Sequence, residues 1–560
     1  MPPRNLRNPF LALTALLVAV AVAVPVFAQD ASSGLYSVGG TVVNSLTGQG
    51  IPHALVTLSA DLATLTGGDG QFSFDNVPAG QYLVSVSKPE YLGIGNTGGG
   101  RGPRMMGGVF RGQDSPPRHL LVGADMPSVT YRLTPTATIV GVVSLSTSDP
   151  ADGIRVLLYR QSFRSGRGQW SLAGNTRTRS DGSFRMGDLP PGRYMLATEA
   201  SLDNPAAETG SRLAVWGYPP EYYPGVTDPG SAGIIAVGAG QQAEADMALV
   251  RQQFFPVTAA VRSSSSAMGA NVEVLDRGGR QTGLPAHYNA REQVFHANVP
   301  NGTWELQGRA YGRTMSWGRT EIVMAGAPMS VAVNMAEVPQ IPVNIERVVT
   351  SSTTTGYGGG GPGVNLMLLA VDGVGNTMGG GMSPAPGSND TAWTLRLAEP
   401  GRFWVQASSY GAFYVSSITS GGVDLASNPL IVTPGSSLAP IDVTLRDDGG
   451  SIAGQIQSGS GSPANTLASG DTPVITVYAI PLFPSAEPMP QAAVQADGTF
   501  AMKNVAPGSY RVVACDYTPE IDYHTPEGLS AWTGKGQTVS VQAGGTAQAM
   551  LDVTHAGGSQ

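Results

Sequence analysis

TGGDGQFSFDNVPAGQY, residues 66–82, aligns without a gap to TRSDGSFRMGDLPPGRY (178–194) and VQADGTFAMKNVAPGSY (494–510). Each copy holds Asp-Gly, a Phe two residues after that Gly, a Pro just ahead of a second Gly, and a Tyr two residues further on. The positions are Asp69, Gly70, Phe72, Gly80 and Tyr82; Asp181, Gly182, Phe184, Gly192 and Tyr194; Asp497, Gly498, Phe500, Gly508 and Tyr510. Two weaker copies share the frame. REQVFHANVPNGTW (291–304) keeps Asn298, Val299, Pro300 and Gly302, with Trp304 at the Tyr position. DTAWTLRLAEPGRF (390–403) keeps Asp390 and Gly401, with Trp393 at the Phe position and Phe403 at the Tyr position. The second glycines fall at 80, 192, 302, 401 and 508, so the spacings are 112, 110, 99 and 107. That period is too long for a solenoid repeat and suits one domain per copy.

The motif reads as a double turn. Asp-Gly supplies the positive φ that a tight hairpin turn needs. Phe72 and Phe74 then point one way, and Gln71 and Ser73 the other. The Pro and Gly turn the chain again. In the next strand Tyr82, Val84 and Val86 share a face, as do Tyr194 and Leu196, Trp304 and Leu306, Phe403 and Val405, and Tyr510 and Val512. One apolar face per strand calls for a second sheet to cover it. Trp304, Trp393 and Phe403 are expected in cores on the same alternation.

A short opening strand precedes each copy: GGTVV (39–43), TIVGVV (138–143), FPVTAAV (255–261), IPVNI (342–346) and SIAGQI (451–456). Closing strands follow, as in IIAVGAGQQAEADMAL (234–249) and VSVQAGGTAQAMLDV (539–553). No amphipathic helix stands out. The reading is an all-β chain, a tandem array of about five Greek-key β-sandwiches. The expected boundaries are 36–133, 134–250, 251–337, 338–446 and 447–554.

Composition agrees. At about 150 residues per domain, 560 residues suggest about four domains. Gly 75 and Pro 42 make about a fifth of the chain, below the ~25–30% of a low-complexity sequence. Charged residues are 13%, about half the usual ~25%. A net charge of −8 leaves no basic footprint for nucleic acid. One cysteine, Cys515, excludes a disulfide scaffold and a multi-cysteine metal cluster.

Residues 1–28 read as a signal peptide. Arg4 and Arg7 open it, Phe10 to Val24 are apolar, Pro25 breaks the run, and Val26-Phe27-Ala28 fits a small-residue cleavage site. The run is short for a membrane span of ~20 residues, with an uncleaved anchor as the rival reading. No other stretch approaches 18 unbroken apolar residues. An exported bacterial envelope protein, in the periplasm, on the outer surface or beyond the cell, is the expected destination.

GGTVVNSLTGQGIPHALVTLS (39–59) and DGQFSFDNVPAGQYLVSVSKPEYLG (69–93) resemble the carboxypeptidase regulatory-like domain. The resemblance is strongest in the first unit, good in the second and fifth, and weak in the third and fourth. It implies a transthyretin-like sandwich and a secreted, non-catalytic accessory module. The family's motif residues are turn and core positions, so no catalytic residue carries over. Related sandwiches have carbohydrate-binding-like folds, which implies a glycan ligand by analogy only.

The candidate sites are few. WGYPPEYYPG (216–225) sets Trp216, Tyr218, Tyr222 and Tyr223 among Pro219, Pro220 and Pro224. Exposed rings there would stack on sugar faces, while the competing reading has them cap the end of the second sandwich or pack against a neighbouring unit. Tyr311 and Trp317 form a weaker aromatic patch. His524-Thr-Pro-Glu527 matches His-x-x-Glu but offers no third zinc ligand. Gly93-x-Gly95-x-x-Gly98 matches the dinucleotide fingerprint as a string, yet GGRGPRMMGGVFRG (99–112) follows it instead of a helix. Arg101, Arg104, Arg111 and Arg118 make that loop basic, a solvated insertion rather than a polymer contact. Asp69, Asp181 and Asp497 offer too few oxygens for calcium and read as turn residues. Intramolecular isopeptide bonds need lysine, and lysine occurs only at Lys88, Lys503 and Lys535, so the second, third and fourth units are excluded. No cofactor or metal is expected. Two functions remain: a binding or scaffold protein meeting a polysaccharide or envelope protein, or an accessory subunit of a separately encoded peptidase or other secreted enzyme.

Overall fold

The computed structural model describes residues 34–95, 118–203, 214–457 and 475–554, with short breaks at 60, 124–127, 147–148, 264–268, 312–314, 338, 351–361, 372–373, 375–377, 386–391, 398, 434 and 496. The signal-peptide reading and the arginine-rich stretch 99–112 lie outside the described residues, as does Asp390. The described chain is all-β, with one short helix at Pro526–Ser530 and one 3-10 turn at Pro229–Ser231.

The first sandwich shows the plan. One sheet orders Gln71–Pro78, Leu35–Asn44, Val129–Pro135 and Tyr91–Leu92; the facing sheet orders Leu62–Leu65, Leu55–Ser59, Gly80–Ser87 and Arg118–Val122. Val38, Phe72, Val84 and Leu133 from both sheets meet in one apolar cluster. The second and fifth sandwiches repeat the plan around Ile139, Phe184 and Tyr194, and around Ile452, Phe500 and Tyr510. In the third and fourth the two sheets run on into one nine-stranded sheet, branched in the third, where Val215–Tyr218 and Ser201–Leu202 extend it. The third closes where Ser316 and Trp317 pair with Glu337 and Ala336. In all five the opening strand pairs in parallel with the closing strand, as Gly40 with Val129 and Ser451 with Thr546. The intervening residues of the unit form the crossover that a parallel pair requires.

The motif's turns differ from the expectation in one respect. Asp-Gly does not join a hairpin: Leu62–Leu65 and Gln71–Pro78 belong to opposite sheets, as do the flanking strands in the second and fifth sandwiches. Each turn hands the chain across the core. Only the glycines take positive φ, at 81° for Gly70, 76° for Gly182 and 80° for Gly498. Each aspartate carboxylate instead accepts the backbone N–H two residues on, at 3.0, 2.9 and 2.9 Å. This is an Asx turn.

Three further regularities follow the motif. Asn76, Asp188 and Asn504 hold φ of 61°, 56° and 56° at the site where two residues oppose one across the ladder. Asn and Asp tolerate that left-handed geometry, so each marks a β-bulge. Gly40, Gly141 and Gly454 lie under the motif phenylalanines: a Cβ there would sit 2.6, 2.7 and 2.9 Å from the rings of Phe72, Phe184 and Phe500. Finally, the terminal aromatic ties the second turn. Tyr82, Tyr194 and Tyr510 donate their hydroxyls to the carbonyls of Pro78, Pro190 and Ala506, and Trp304 Nε1 donates to Pro300.

Two burial expectations need correction. Tyr194 and Tyr510 are 0% and 2% exposed, but Tyr82 is only half-buried at the margin of its core. Trp304 and Phe403 are core residues, whereas Trp393 is half-buried beside its cluster.

Candidate functional site

The aromatic loop begins from a sheet that is apolar on both faces. In the second sandwich, Val156 and Leu158 face the interior while Leu157, Tyr159, Met195 and Ala197 form a second buried layer on the outside. The run Val-Leu-Leu-Tyr (156–159) has no polar alternation, as expected of a strand covered twice. The cover is the segment 221–226. Backbone bonds from Thr198 N–H to Glu221 O and from Tyr223 N–H to Leu196 O hold it along the strand Gly192–Thr198.

Tyr222 is the centre of this cover and is fully buried. Its hydroxyl donates to Asp276 Oδ2 at 2.7 Å, in a turn of the third sandwich. Arg280 pairs with the same carboxylate at 2.9 Å, lies 4.4 Å from the Tyr222 ring centroid, and donates to Thr198 O at 2.8 Å. Both charged side chains are 2% exposed. Burial opposes the Arg280 charge, but Tyr222, Asp276 and Tyr159 around it push its pKa up. Burial likewise raises the Tyr159 hydroxyl to about 12. Val374 of the fourth sandwich completes the cluster, donating its N–H to Gly278 O and bridging to Trp170. Three sandwiches therefore meet on one tyrosine.

The four rings of 216–225, read from sequence either as a stacking surface or as packing on the second sandwich or a neighbouring unit, divide between exposed and packed positions. Tyr222 has no face for a ligand, because the neighbouring sandwich covers it. Tyr218 and Tyr223 lean on the second core. Trp216 remains exposed at 38%, with the Arg251 guanidinium 4.8 Å over its ring and Asp203 holding that arginine. The strand bearing Trp216, Val215–Tyr218, pairs with Gln252–Ser263 and so extends the third sandwich's sheet. Trp317 is also buried, beneath Arg309 at 4.6 Å.

Sequence reasoning missed a second junction. The hairpin Arg155–Arg164 and Arg167–Arg177 turns at Ser165 and Gly166, with φ of 47° and 71°. Its tip enters between the fourth and fifth sandwiches. Arg167 lies 3.5 Å from the Trp404 ring centroid and donates to Ala426 O. Arg160 pairs with Glu520 at 2.7 Å, and His524 Nε2 lies 3.0 Å from Ser165 O. Burial and the adjacent Arg167 lower the His524 pKa to about 4, and burial lowers Arg167 to about 10. The outer sheet face here, Tyr478, Ile480, Val513 and Cys515, is covered by Ile521, Tyr523 and Trp532. Burial raises the Cys515 thiol to about 12. Its signal is again an unbroken run, Val-Tyr-Ala-Ile (477–480).

Smaller ties join the remaining pairs. Arg309 reaches Glu399 at 3.7 Å between the third and fourth sandwiches. Ser409 donates to Glu487, and Ala407 N–H to Ala486 O, between the fourth and fifth. Lys503 and Lys535 are exposed rather than seated in a core, as an isopeptide bond would need. Among the described residues, no three His, Cys, Asp or Glu side chains gather as a metal site, and no helix is long and apolar enough to cross a membrane.

Residues 37–96 match the model of the carboxypeptidase regulatory-like domain. A 53-residue stretch is 38% identical to BOS complex subunit NOMO1 of Mus musculus, covering 10% of this chain and 4% of that protein. Two solved structures align over longer spans. A streptococcal ancillary pilin covers 54% of this chain and 99% of its own at 11% identity and a TM-score of 0.17. The Bacillus anthracis TIE protein covers 74% of this chain and 69% of its own at 9% identity and a TM-score of 0.14.

Proposed function

We propose that this chain is a non-catalytic, exported scaffold of the cell envelope, built of five sandwich units with the boundaries given above. The observation that carries the reading is the shared Tyr222 junction. Aromatic and buried charged side chains, the usual material of ligand sites, are spent there on joining the second, third and fourth sandwiches. The carboxypeptidase regulatory-like match over 37–96 supports an accessory module at the first sandwich. Such a protein holds loops and sheet faces at fixed separations for a partner. Within this reading, Trp216 is the ring of the 216–225 loop that is left to meet a polysaccharide.

A polysaccharide array and a peptidase panel, both run on the full chain, test the proposal. The scaffold role predicts no turnover of any peptide. Retention on a polymer that is lost in Trp216→Ala would place a glycan at that ring; Tyr222→Phe would leave such retention unchanged. Turnover that survives purification to homogeneity would refute the non-catalytic reading.

A further inference from the structure

The tip of the 155–177 hairpin is gripped by the fourth and fifth sandwiches together. A Cβ on Gly166 would run into the Tyr523 ring, so that ring lies on the turn itself. The Tyr523 and His524 rings are 4.5 Å apart, and His524 Nε2 is 3.0 Å from Ser165 O. A carbonyl oxygen only accepts, so Nε2 carries the hydrogen and Nδ1 is the basic nitrogen. The charges that act on this ring are Arg167 of the hairpin and Asp522 of its own loop. Asp522 also acts on Arg167. Glu520 of the same loop is taken by Arg160 at 2.7 Å. Burial pushes the Tyr523 hydroxyl up, so it stays neutral. On the fourth sandwich, Arg167 meets the Trp404 ring and the Ala426 carbonyl, neither of which carries a formal charge. A second cation here would have to share Asp522 with the guanidinium.

We propose that the hairpin tip is an acid-released latch between the second and fifth sandwiches, with His524 as its proton-sensing group. A proton on Nδ1 leaves the bond to Ser165 O in place and sets an imidazolium beside Arg167 in a seat largely shielded from water. The latch gives way because that second charge is better solvated outside the junction. Only the tip has to move. Behind it, Val156–Arg160 stay paired with the strand Gly192–Thr198 in the second sandwich. The core of the fifth sandwich, around Ile452, Phe500 and Tyr510, does not include the 521–524 loop. The lowered His524 pKa, about 4, agrees in sign. The open form binds the proton more tightly, so the closed form is at full strength above about 6.5 and is lost as pH falls toward about 4. This inference goes beyond the scaffold role and does not need it.

Double electron–electron resonance on the full chain tests it, with spin labels on Arg164→Cys and Glu527→Cys. Both positions are exposed, one on each side of the junction, and the native Cys515 is buried. Between pH of about 7 and about 4 the closed-to-open ratio should fall about a hundredfold. The short label distance then gives way to a long, broad one while circular dichroism keeps its all-β signal. His524→Gln keeps a donor for Ser165 O but does not titrate, and should hold the short distance over the same range. Arg167→Met removes the neighbouring cation and should blunt the response. Opening that is unchanged in His524→Gln would overturn the inference and assign the acid sensitivity to the Arg160–Glu520 pair. A short distance that persists in the wild-type sequence until the whole chain unfolds would also overturn it. Melting at neutral pH checks that each variant folds. Should His524→Gln fail to fold, an acid response in Arg167→Met equal to that of the wild-type sequence would overturn the inference by itself.

Discussion

The terminal aromatic of the motif does two things that a hydrophobic pattern does not distinguish. It fills the core, and its donor ties the carbonyl four residues back across the turn. Phe403 fills the core of the fourth sandwich but has no such donor. The two contributions separate by substitution. Tyr194→Phe should cost about 0.5–1.5 kcal/mol for the lost hydrogen bond, and Tyr194→Ala about 3–5 kcal/mol for the lost ring. Tyr82→Ala should cost markedly less than Tyr194→Ala, because its ring is half-exposed. Urea denaturation of each variant measures the order, and equal losses would show that burial does not set it. Glu221 gives a pH prediction. Burial raises its carboxyl from 4.5 to about 7. A raised carboxyl contributes fully below its unfolded pKa, and that contribution is lost as pH climbs through the folded value. His524 runs the other way: its contribution is full above about 6.5 and is lost as pH falls toward about 4. The melting temperature of wild type minus that of Glu221→Gln should therefore fall between pH of about 5 and about 7.5. A flat difference would show that the carboxyl is not desolvated.

Strands and turns were legible to different degrees. Asp-Gly-x-Phe and the following Gly-x-Tyr located six strands in the first, second and fifth units, because period-2 alternation and turn residues act locally. The bulges sit at Asn76, Asp188 and Asn504, which strand alternation by itself does not mark. The opening glycines were legible only jointly with the phenylalanines they underlie. What the alternation rule hid was the second buried layer. Val-Leu-Leu-Tyr (156–159) and Val-Tyr-Ala-Ile (477–480) break the rule because both faces are covered, whereas Tyr-Leu-Val-Ser-Val-Ser (82–87) obeys it and leaves Leu83 in water. Nothing local tells where a covering loop will land, so the sequence leaves the rings of 216–225 open between a ligand surface and packing against a neighbouring unit. The 155–177 hairpin belongs to the same class of long-range contact. Arg167→Ala should uncover Trp404, shifting that residue's resonance in fluorotryptophan-labelled protein and raising its quenching by acrylamide. An unchanged resonance would mean that the hairpin tip does not depend on the cation–π contact.

At the scale of the molecule, the junctions join the second through fifth sandwiches to one another, while the ties from the first to the second are slight, such as Gly240 N–H to Pro135 O at 3.3 Å. A tandem array with polar linkers would let each unit open by itself. Here Tyr222, the Asp276–Arg280 pair, Arg167 and Tyr523 are all buried or packed between units, so opening one sandwich exposes the surfaces of its neighbours. Removing one partner of a buried pair is costly, about 3–5 kcal/mol, and Asp276→Asn should loosen more than its own sandwich. Native-state hydrogen exchange of the full chain, resolved by segment along a denaturant series, is the direct measurement. The account predicts that the strands Arg155–Arg164, Gly302–Tyr311, Gly401–Ser409 and Gly508–Cys515 open with one common free energy, and that Gly80–Ser87 opens apart from them. Four separate opening energies for those strands, undisturbed by Asp276→Asn, would contradict it.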